Sequence, residues 1–276
     1  MRKFLTVAAL SALALCPFAP GASFAEEDNG VQVGKDVFVA FGYKAWINTW
    51  QTNLTGSGVN WEQLVKGPVL ASIPNMSIRV KNFLLAGSYM STGDYKFPSD
   101  SYYVNFPAGS AIGTLKAPVT TGSRTEGDFN IGYYVHRSVL LTMGYKGVTE
   151  KFSVYDPLSK ATTESKVYYN GVTLGIAGSV PVGAGFAIYG NGVGGWLSTT
   201  YQPASTYLDN AMYEASELGV AYKVPHVPFS MSAGYKFQLI QTHINSLNLS
   251  AANAQYTNLP RSDVTRGFMI GLNCVF

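Results

Sequence analysis

Residues 267–276, the last ten of the chain, read GFMIGLNCVF. Every second residue of this stretch is apolar, and the residues between them include two glycines and an asparagine. Because successive side chains of a β-strand point to opposite faces, this period of two predicts a strand with one uniformly apolar face. That face consists of Phe268, Ile270, Leu272, Cys274 and Phe276.

The same alternation recurs in earlier segments, where polar residues or glycines occupy the second face. Clear examples are residues 129–135, 141–146 and 229–238. A soluble β-sandwich would bury the apolar faces, whereas a membrane barrel would turn them toward lipid. The alternation alone therefore leaves both folds open.

The connections between these segments favour a membrane barrel. Short and long connections alternate along the chain, and the long ones are rich in Ser, Thr, Asn, Gly and Pro. Bacterial outer-membrane barrels have short periplasmic turns and longer outer loops, and their aromatic residues gather at the lipid interfaces. The predicted turns lie near residues 80–82, 136–138, 180–185 and 223–228, and the predicted loops span about 51–68, 96–123, 153–164, 200–210 and 244–262.

The C-terminal stretch GFMIGLNCVF resembles the C-terminal signal of Gram-negative outer-membrane β-barrel proteins, which the barrel assembly machinery recognises. The resemblance rests on the alternating Phe268, Ile270 and Leu272 and on the terminal aromatic Phe276. It implies two partners, the outer-membrane lipids and the barrel assembly machinery, and a location in the bacterial outer membrane. The motif names a class of protein and no activity.

The N-terminal residues predict export. Residues 1–25 combine two cations, an apolar stretch and small residues ending at Ala25, which is the pattern of a secretory signal peptide. Residues 26–35 are interpreted as a periplasmic segment and residues 36–276 as the barrel. After residue 25 there is no uninterrupted run of about 18 apolar residues, so the sequence predicts no membrane helix.

The strand count predicted from the pattern is ten, which returns both termini to the periplasm. Upward strands are predicted at about 36–50, 83–95, 138–152, 185–199 and 229–243, and downward strands at about 69–80, 124–136, 165–179, 210–223 and 262–276. The second strand contains Pro74, which has no N–H to donate to a β-ladder. Without that strand and its partner the barrel would have eight strands. The predicted fold is an all-β, antiparallel up-and-down barrel.

The polar faces of these strands place charges inside the barrel. Around the turn at Arg137, Asp128 should lie opposite Lys146, and Arg124 opposite Glu150. The predicted band of lumen charges consists of Lys44, Arg124, Glu126, Asp128, Lys146, Glu150, Glu217 and Lys236. Such a band is either a constriction that filters small solutes or a salt-bridged plug that closes the lumen. The glycines of the inward faces do not separate these two possibilities.

The sequence contains few candidate residues for catalysis or cofactor binding. The chain has 19 Lys and Arg against 16 Asp and Glu, which provides no basic surface for nucleic acid. Of the three histidines, His136 and His226 fall in predicted turns and His243 falls on an outward face. The strand count resembles that of the omptin class of outer-membrane proteases, but no paired acids with a partnered His occur at the outer rim. No metal, cofactor or catalytic residue is predicted.

The leading functional hypothesis is a passive barrel, either a narrow pore for small solutes or a structural barrel with long outer loops. The alternative is a surface adhesin or receptor that binds an extracellular ligand through loops 96–123 and 244–262. The loop aromatics Tyr102, Tyr103 and Phe106 motivate it, because exposed aromatics commonly anchor partners. Trp46 and Trp50 are interpreted as anchors at the membrane interface or as contacts for a sugar or partner. A hydrolase is the third and weakest possibility.

Overall fold

The computed structural model describes residues 37–56, 59–97, 101–102, 115–116, 119–156, 161–202, 208–249 and 254–276. Within these residues, no helix has the length and hydropathy that crossing a bilayer would require. The signal peptide and the N-terminal segment to residue 35 lie outside the described residues.

The described chain is built from β-strands alone. They are β1 (Val37–Gly56), β2 (Val59–Leu64), β3 (Val69–Val80), β4 (Phe83–Thr92), β5 (Tyr95–Phe97), β6 (Ser101–Tyr102), β7 (Leu115–Lys116), β8 (Val119–His136), β9 (Val139–Asp156), β10 (Ala161–Gly183), β11 (Phe186–Gln202), β12 (Ala211–Lys223), β13 (Phe229–Leu249) and β14 (Ala254–Val275).

Ten of these strands form a closed antiparallel barrel, as the sequence pattern predicts. The ring runs β1–β3–β4–β8–β9–β10–β11–β12–β13–β14, and β14 pairs with β1 to close it. The closing ladder reaches the C-terminus, since the Phe276 N–H donates to the Val39 carbonyl at 2.8 Å. β2 extends the ladder of β1 at the outer end, β5 continues β4 along β8, and β6 pairs with β7.

The strand that contains Pro74 is present, so the eight-strand alternative is wrong. Pro74 lies opposite Tyr43 of β1, within a continuous β3. On its other side the ladder to β4 has no rungs at Ile73 and Pro74, although it continues at Ser72 and Asn75. Proline has no N–H to donate, so the wall keeps the strand and loses part of one ladder.

The short turns lie where the sequence predicts them, but three of the five predicted long loops are shorter than predicted. Lys81, Ala184 and His226 adopt positive φ values between 52° and 62° in these turns. At the other end, residues 51–56 continue β1, and residues 244–249 and 254–262 belong to the hairpin of β13 and β14. The prediction of loops over 51–68, 153–164 and 244–262 is therefore largely wrong, because the polar residues there form strands beyond the lipid.

The two faces of the wall differ sharply. Large apolar residues on the outward face are exposed, as at Phe268 with 70% and Ile270 with 60% of the residue's surface accessible. Inward side chains on the same strands are buried, and many of them are polar. A strand crosses the hydrocarbon with about 9–11 residues, whereas β1 has 20. The exposed apolar belt therefore covers about half of a long strand, and the wall continues beyond it.

We expect an arginine at Ile270 to destabilise the barrel, because Ile270 lies between Phe268 and Leu272 in the lipid-facing row of β14. The expected loss is about 2–4 kcal/mol of unfolding free energy in lipid vesicles. Gln241→Arg is the matched control, since Gln241 is exposed near the outer end of β13, past its last strongly exposed apolar side chain. Equal losses in both variants, measured by urea unfolding, would contradict the assignment of the belt.

Candidate functional site: the closed lumen

The predicted charge band lies inside the barrel. The ladder between β8 and β9 pairs Asp128 with Lys146 and Arg124 with Glu150, the two oppositions that the turn arithmetic predicts. All eight predicted residues point inward, and apart from Asp128 each of them is at least nine-tenths buried.

Lys146 is the centre of one ionic cluster. Its Nζ lies 2.6 Å from Glu126 Oε2 and 3.0 Å from Asp128 Oδ1. The same ammonium lies 4.8 Å from the ring centroid of Tyr213. The side chains of Lys146 and Glu126 are almost fully buried, so each charge depends on its partners for the stabilisation that water would otherwise provide.

Glu217 and Lys236 lie opposite each other on β12 and β13, but they do not form an ion pair. Glu217 instead binds Lys44, whose Nζ lies 3.0 Å from Oε1 and 3.2 Å from Oε2. Tyr189 donates a further hydrogen bond to Glu217 at 2.8 Å. Lys236 rests over the indole ring of Trp46, 4.7 Å from its centroid. Among the described residues, no carboxylate lies within 4.0 Å of its ammonium.

A second ionic cluster lies toward the outer end. Arg124 Nε lies 2.7 Å from Glu126 Oε1, and Arg124 Nη1 lies 3.6 Å from Glu150 Oε1. Arg261 contacts Glu150 at 3.2 Å and Asp263 at 2.9 Å. Arg261 and Asp263 belong to the ionic network of the lumen, although neither is among the lumen charges predicted from the sequence. Arg261 falls in the predicted loop 244–262, although both residues share the parity of the inward residues of β14.

Two contacts join opposite walls of the barrel directly. Gln238 Nε2 of β13 donates to Glu126 Oε2 of β8 at 3.1 Å, and four strands separate β13 from β8 in either direction. Arg261 of β14 reaches Glu150 of β9 at 3.2 Å across an equal separation. The ion-paired side chains therefore span the full width of the lumen.

Aromatic side chains fill the lumen beside this cluster. The ring of Trp50 packs against Tyr95, Phe97 and Phe152 with centroid separations of 5.1–5.5 Å. Trp50 also donates from Nε1 to Asp263 Oδ1 at 3.4 Å. Phe152 packs against a second buried apolar cluster on the opposite wall, so the two clusters are continuous. This second apolar cluster consists of Val148, Val167, Tyr169, Leu197, Ala211, Tyr213 and Ile240.

The interpretation of Trp46 and Trp50 as interface anchors or ligand contacts is wrong. Both side chains have no accessible surface and point into the lumen. Their parity is that of Lys44, which was correctly expected to face inward, so the signal was present in the sequence. Trp196, by contrast, is exposed, with 63% of its surface accessible.

A polar cavity lies within the same lumen. Its lining combines charged, amide and hydroxyl side chains with an apolar wall that includes Val193 and Ala215. The polar lining consists of Asp128, Asn130, Lys146, Thr173, Asn191, Tyr213, Ser216, Glu217 and Lys236.

Among the described residues, no three or more His, Cys, Asp or Glu side chains are placed to hold a metal ion. Asp209 lies beside His243, since its N–H donates to the His243 carbonyl at 2.9 Å. Its Oδ1, however, accepts from Asn245 Nδ2 at 2.6 Å. Cys274 is a partly exposed free thiol on the outward row of β14.

The other predicted site residues have mixed outcomes. Phe268, Ile270, Leu272 and Phe276 form one exposed apolar row, as expected for a lipid-facing terminal strand. Their recognition by the barrel assembly machinery stays a prediction. Of the proposed loop aromatics, Tyr103 and Phe106 lie outside the described residues, and only the backbone of Tyr102 is described, in β6.

Solved structures with similar backbones are bacterial outer-membrane proteins. The outer membrane protease OmpT from Escherichia coli aligns with a TM-score of 0.57 and 9% sequence identity, covering 90% of this chain and 99% of OmpT. OprG from Pseudomonas aeruginosa has a TM-score of 0.38, 13% identity and coverages of 87% and 96%. The toluene transporter TodX from Pseudomonas putida has a TM-score of 0.34, 9% identity and coverages of 93% and 92%. No protein-family model and no curated protein sequence matches the chain.

At 9% identity, the likeness to OmpT concerns the fold and not the activity. It agrees with the closed ring of ten strands and with the apolar belt on its outer surface. The chain therefore has the fold of a Gram-negative outer-membrane β-barrel protein.

Proposed function

We propose that the protein is a structural outer-membrane barrel with a closed lumen, rather than an open pore for small solutes. The observation that carries this proposal is the direct contact between opposite walls, at Gln238–Glu126 and at Arg261–Glu150. A water-filled channel needs a continuous path between the walls. At this level, charged and aromatic side chains occupy that path.

The length of the strands supports a role for the outer end of the barrel. β1, β10, β13 and β14 each contain 20 residues or more, about twice what the hydrocarbon requires. A wall that continues beyond the lipid needs internal support, because no bilayer holds it there. The ionic and aromatic layers provide that support, and the resulting scaffold holds the outer hairpins away from the membrane.

We expect the purified wild-type barrel to show no steady conductance in planar lipid bilayers. Replacing both Glu150 and Arg261 with alanine should produce openings, because this removes one of the direct bridges between opposite walls of the lumen. The control is the double variant Lys151→Met with Glu164→Gln, which removes an exposed ion pair outside the lumen. That control should stay silent.

The same recordings separate the closed barrel from the pore. A steady wild-type conductance whose ion selectivity changes with Lys146→Glu would overturn the closed-lumen proposal, because Lys146 would then line the ion path. A silent wild-type barrel that binds cells or matrix would favour the adhesin alternative. Such binding would use the outer hairpins, which the long strands support.

A further inference from the structure

We propose that the rim at the short-turn end of the barrel binds an anionic phospholipid of the periplasmic leaflet, with Lys81 and Arg137 as the cations that hold the lipid phosphate. Bacterial outer-membrane barrels place their short turns in the periplasm. The proposal concerns the outer surface of the wall, so it does not depend on whether the lumen is closed.

Charge is distributed unevenly along the axis of the barrel. The cations described at the short-turn end are Arg79, Lys81, Arg137 and Lys223. Every described Asp and Glu residue lies in the lumen network or toward the loop end of the strands. The carboxyl group of Phe276 also lies at the short-turn end, where its oxygen accepts from the Val39 N–H at 3.1 Å. The described part of this rim is therefore mainly positive, which favours an anionic partner.

Two of these cations border the lipid belt on neighbouring hairpins. Lys81 and Arg137 are exposed and directly follow β3 and β8. β4 pairs with β8, and the Tyr134 N–H donates to the Asn82 carbonyl at 2.8 Å, so the two turns lie side by side. Two strand spacings, about 10 Å, separate the turns. Long Lys and Arg side chains can reach a single phosphate from the two sides of that gap.

An aromatic pair lies on the outer wall between the two turns. Phe83 and Tyr133 are opposite each other in the ladder between β4 and β8, and their ring centroids are 5.1 Å apart. Both residues are exposed on the lipid-facing side. Long cationic side chains beside such a belt extend toward the headgroup level. A lipid whose phosphate is held there would place the first part of its acyl chains on the two rings.

The two cations also decide which headgroup fits. Phosphatidylglycerol carries one negative charge and no cation, so Lys81 and Arg137 can both approach its phosphate. Phosphatidylethanolamine and phosphatidylcholine carry an ammonium group of their own, which the two cations repel. The Arg137 guanidinium can bind two phosphate oxygens at once, and the Lys81 ammonium adds a point charge. The site therefore favours an anionic phospholipid over a zwitterionic one.

The test is native mass spectrometry of the refolded barrel, released from mixed micelles that contain equal amounts of phosphatidylglycerol and phosphatidylcholine with the same acyl chains. We expect the wild type to retain one phosphatidylglycerol in preference to phosphatidylcholine by about tenfold or more, as the attraction of two cations to an anionic lipid predicts. Glycerol phosphate at an equal concentration should not displace the lipid, because it has no acyl chains to contact Phe83 and Tyr133.

Substitutions assign the site to the rim. Lys81→Gln combined with Arg137→Gln should abolish the preference, and each single substitution should reduce it, which keeps the test available if the double variant does not fold. The matched control is Lys66→Gln with Lys96→Gln, which removes two exposed cations near the loop end. This control and Lys81→Arg should retain the preference.

Four results would each overturn the inference. They are equal retention of the two lipids by the wild type, displacement by glycerol phosphate, an unchanged preference in the folded Lys81→Gln, Arg137→Gln variant, and an equal loss in the control variant. Heat-modifiable migration in electrophoresis shows which variants are folded.

An anionic polymer of the cell wall is the other partner that a cationic periplasmic rim could bind. Retention of isolated peptidoglycan that depends on Lys81 and Arg137, without a preference for phosphatidylglycerol, would overturn the assignment to lipid.

Discussion

The Lys146→Met variant is expected to lose about 3–5 kcal/mol of unfolding free energy, the usual cost of removing one partner from a buried ion pair. Lys146 Nζ contacts both Glu126 and Asp128, and its side chain is 2% exposed. Methionine preserves most of the volume but leaves the Glu126 carboxylate with Arg124 as its one remaining cation within 4.0 Å among the described residues. Urea unfolding in lipid vesicles, followed by tryptophan fluorescence, measures the loss.

Lys151→Met is the matched control for this measurement. Lys151 lies on the same strand and pairs with Glu164 at 2.7 Å, but both side chains are substantially exposed to water. Exposed pairs contribute little to stability, so the unfolding curve should be unchanged within error. A loss of similar size in the two variants would mean that the lumen network does not stabilise the barrel.

The charge swap Asp128→Lys with Lys146→Asp gives a sharper view of the same cluster. Reversal of Asp128 alone places two cations side by side, and the second substitution should recover part of the loss. Recovery should be incomplete, because the new aspartate at position 146 would face Glu126. Absence of any coupling in this double-mutant cycle would contradict the observed contacts.

Gly267→Ala is expected to prevent the barrel from closing, or to leave it folded only in part. An added Cβ at Gly267 would lie well inside van der Waals contact of the Ile47 carbonyl oxygen and 2.6 Å from Asn48 Cα. Both atoms belong to the backbone of β1, so no side chain can move aside. Overpacking typically costs about 1–3 kcal/mol and more where the backbone must shift, as it must in the closing ladder between β14 and β1.

Gly127→Ala is the control for this prediction, because a Cβ at Gly127 has no other atom within 4 Å. The measurement is the fraction of refolded protein that migrates as the compact, heat-modifiable species in electrophoresis. Gly127→Ala should refold like the wild type. A Gly267→Ala variant that refolds equally well would show that β1 and β14 are not held as closely as their ladder indicates.

The fold follows from the sequence because lipid and lumen impose opposite demands on alternate residues. The period of two and the short turns were enough to predict ten strands, the facing of Lys44 and the pairing of Asp128 with Lys146. Strand ends were harder to predict, since beyond the lipid both faces of the wall become polar. Residues 244–262 therefore read as a loop, and Arg261 was missed with it.

The contacts across the lumen could not be predicted, because parity gives the face of a residue and not its partner on another wall. Glu217 and Lys236 are neighbours in the ladder, yet Glu217 pairs with Lys44 from β1. Which lysine pairs with Glu217 depends on the direction in which the curved wall points each long side chain. In the same way, Trp50 shares the parity of the inward Lys44, but its position near a predicted outer loop favours an interface anchor.

Pro74 has a consequence for how the wall resists force. The ladder between β1 and β14, which closes the ring, is long and uninterrupted. The ladder between β3 and β4 is the shortest in the ring and lacks rungs at Ile73 and Pro74. Mechanical strain across the wall of the barrel would therefore concentrate between β3 and β4. If the strands of the barrel separate, we expect β3 and β4 to part first, beside Pro74, while β1 and β14 remain paired.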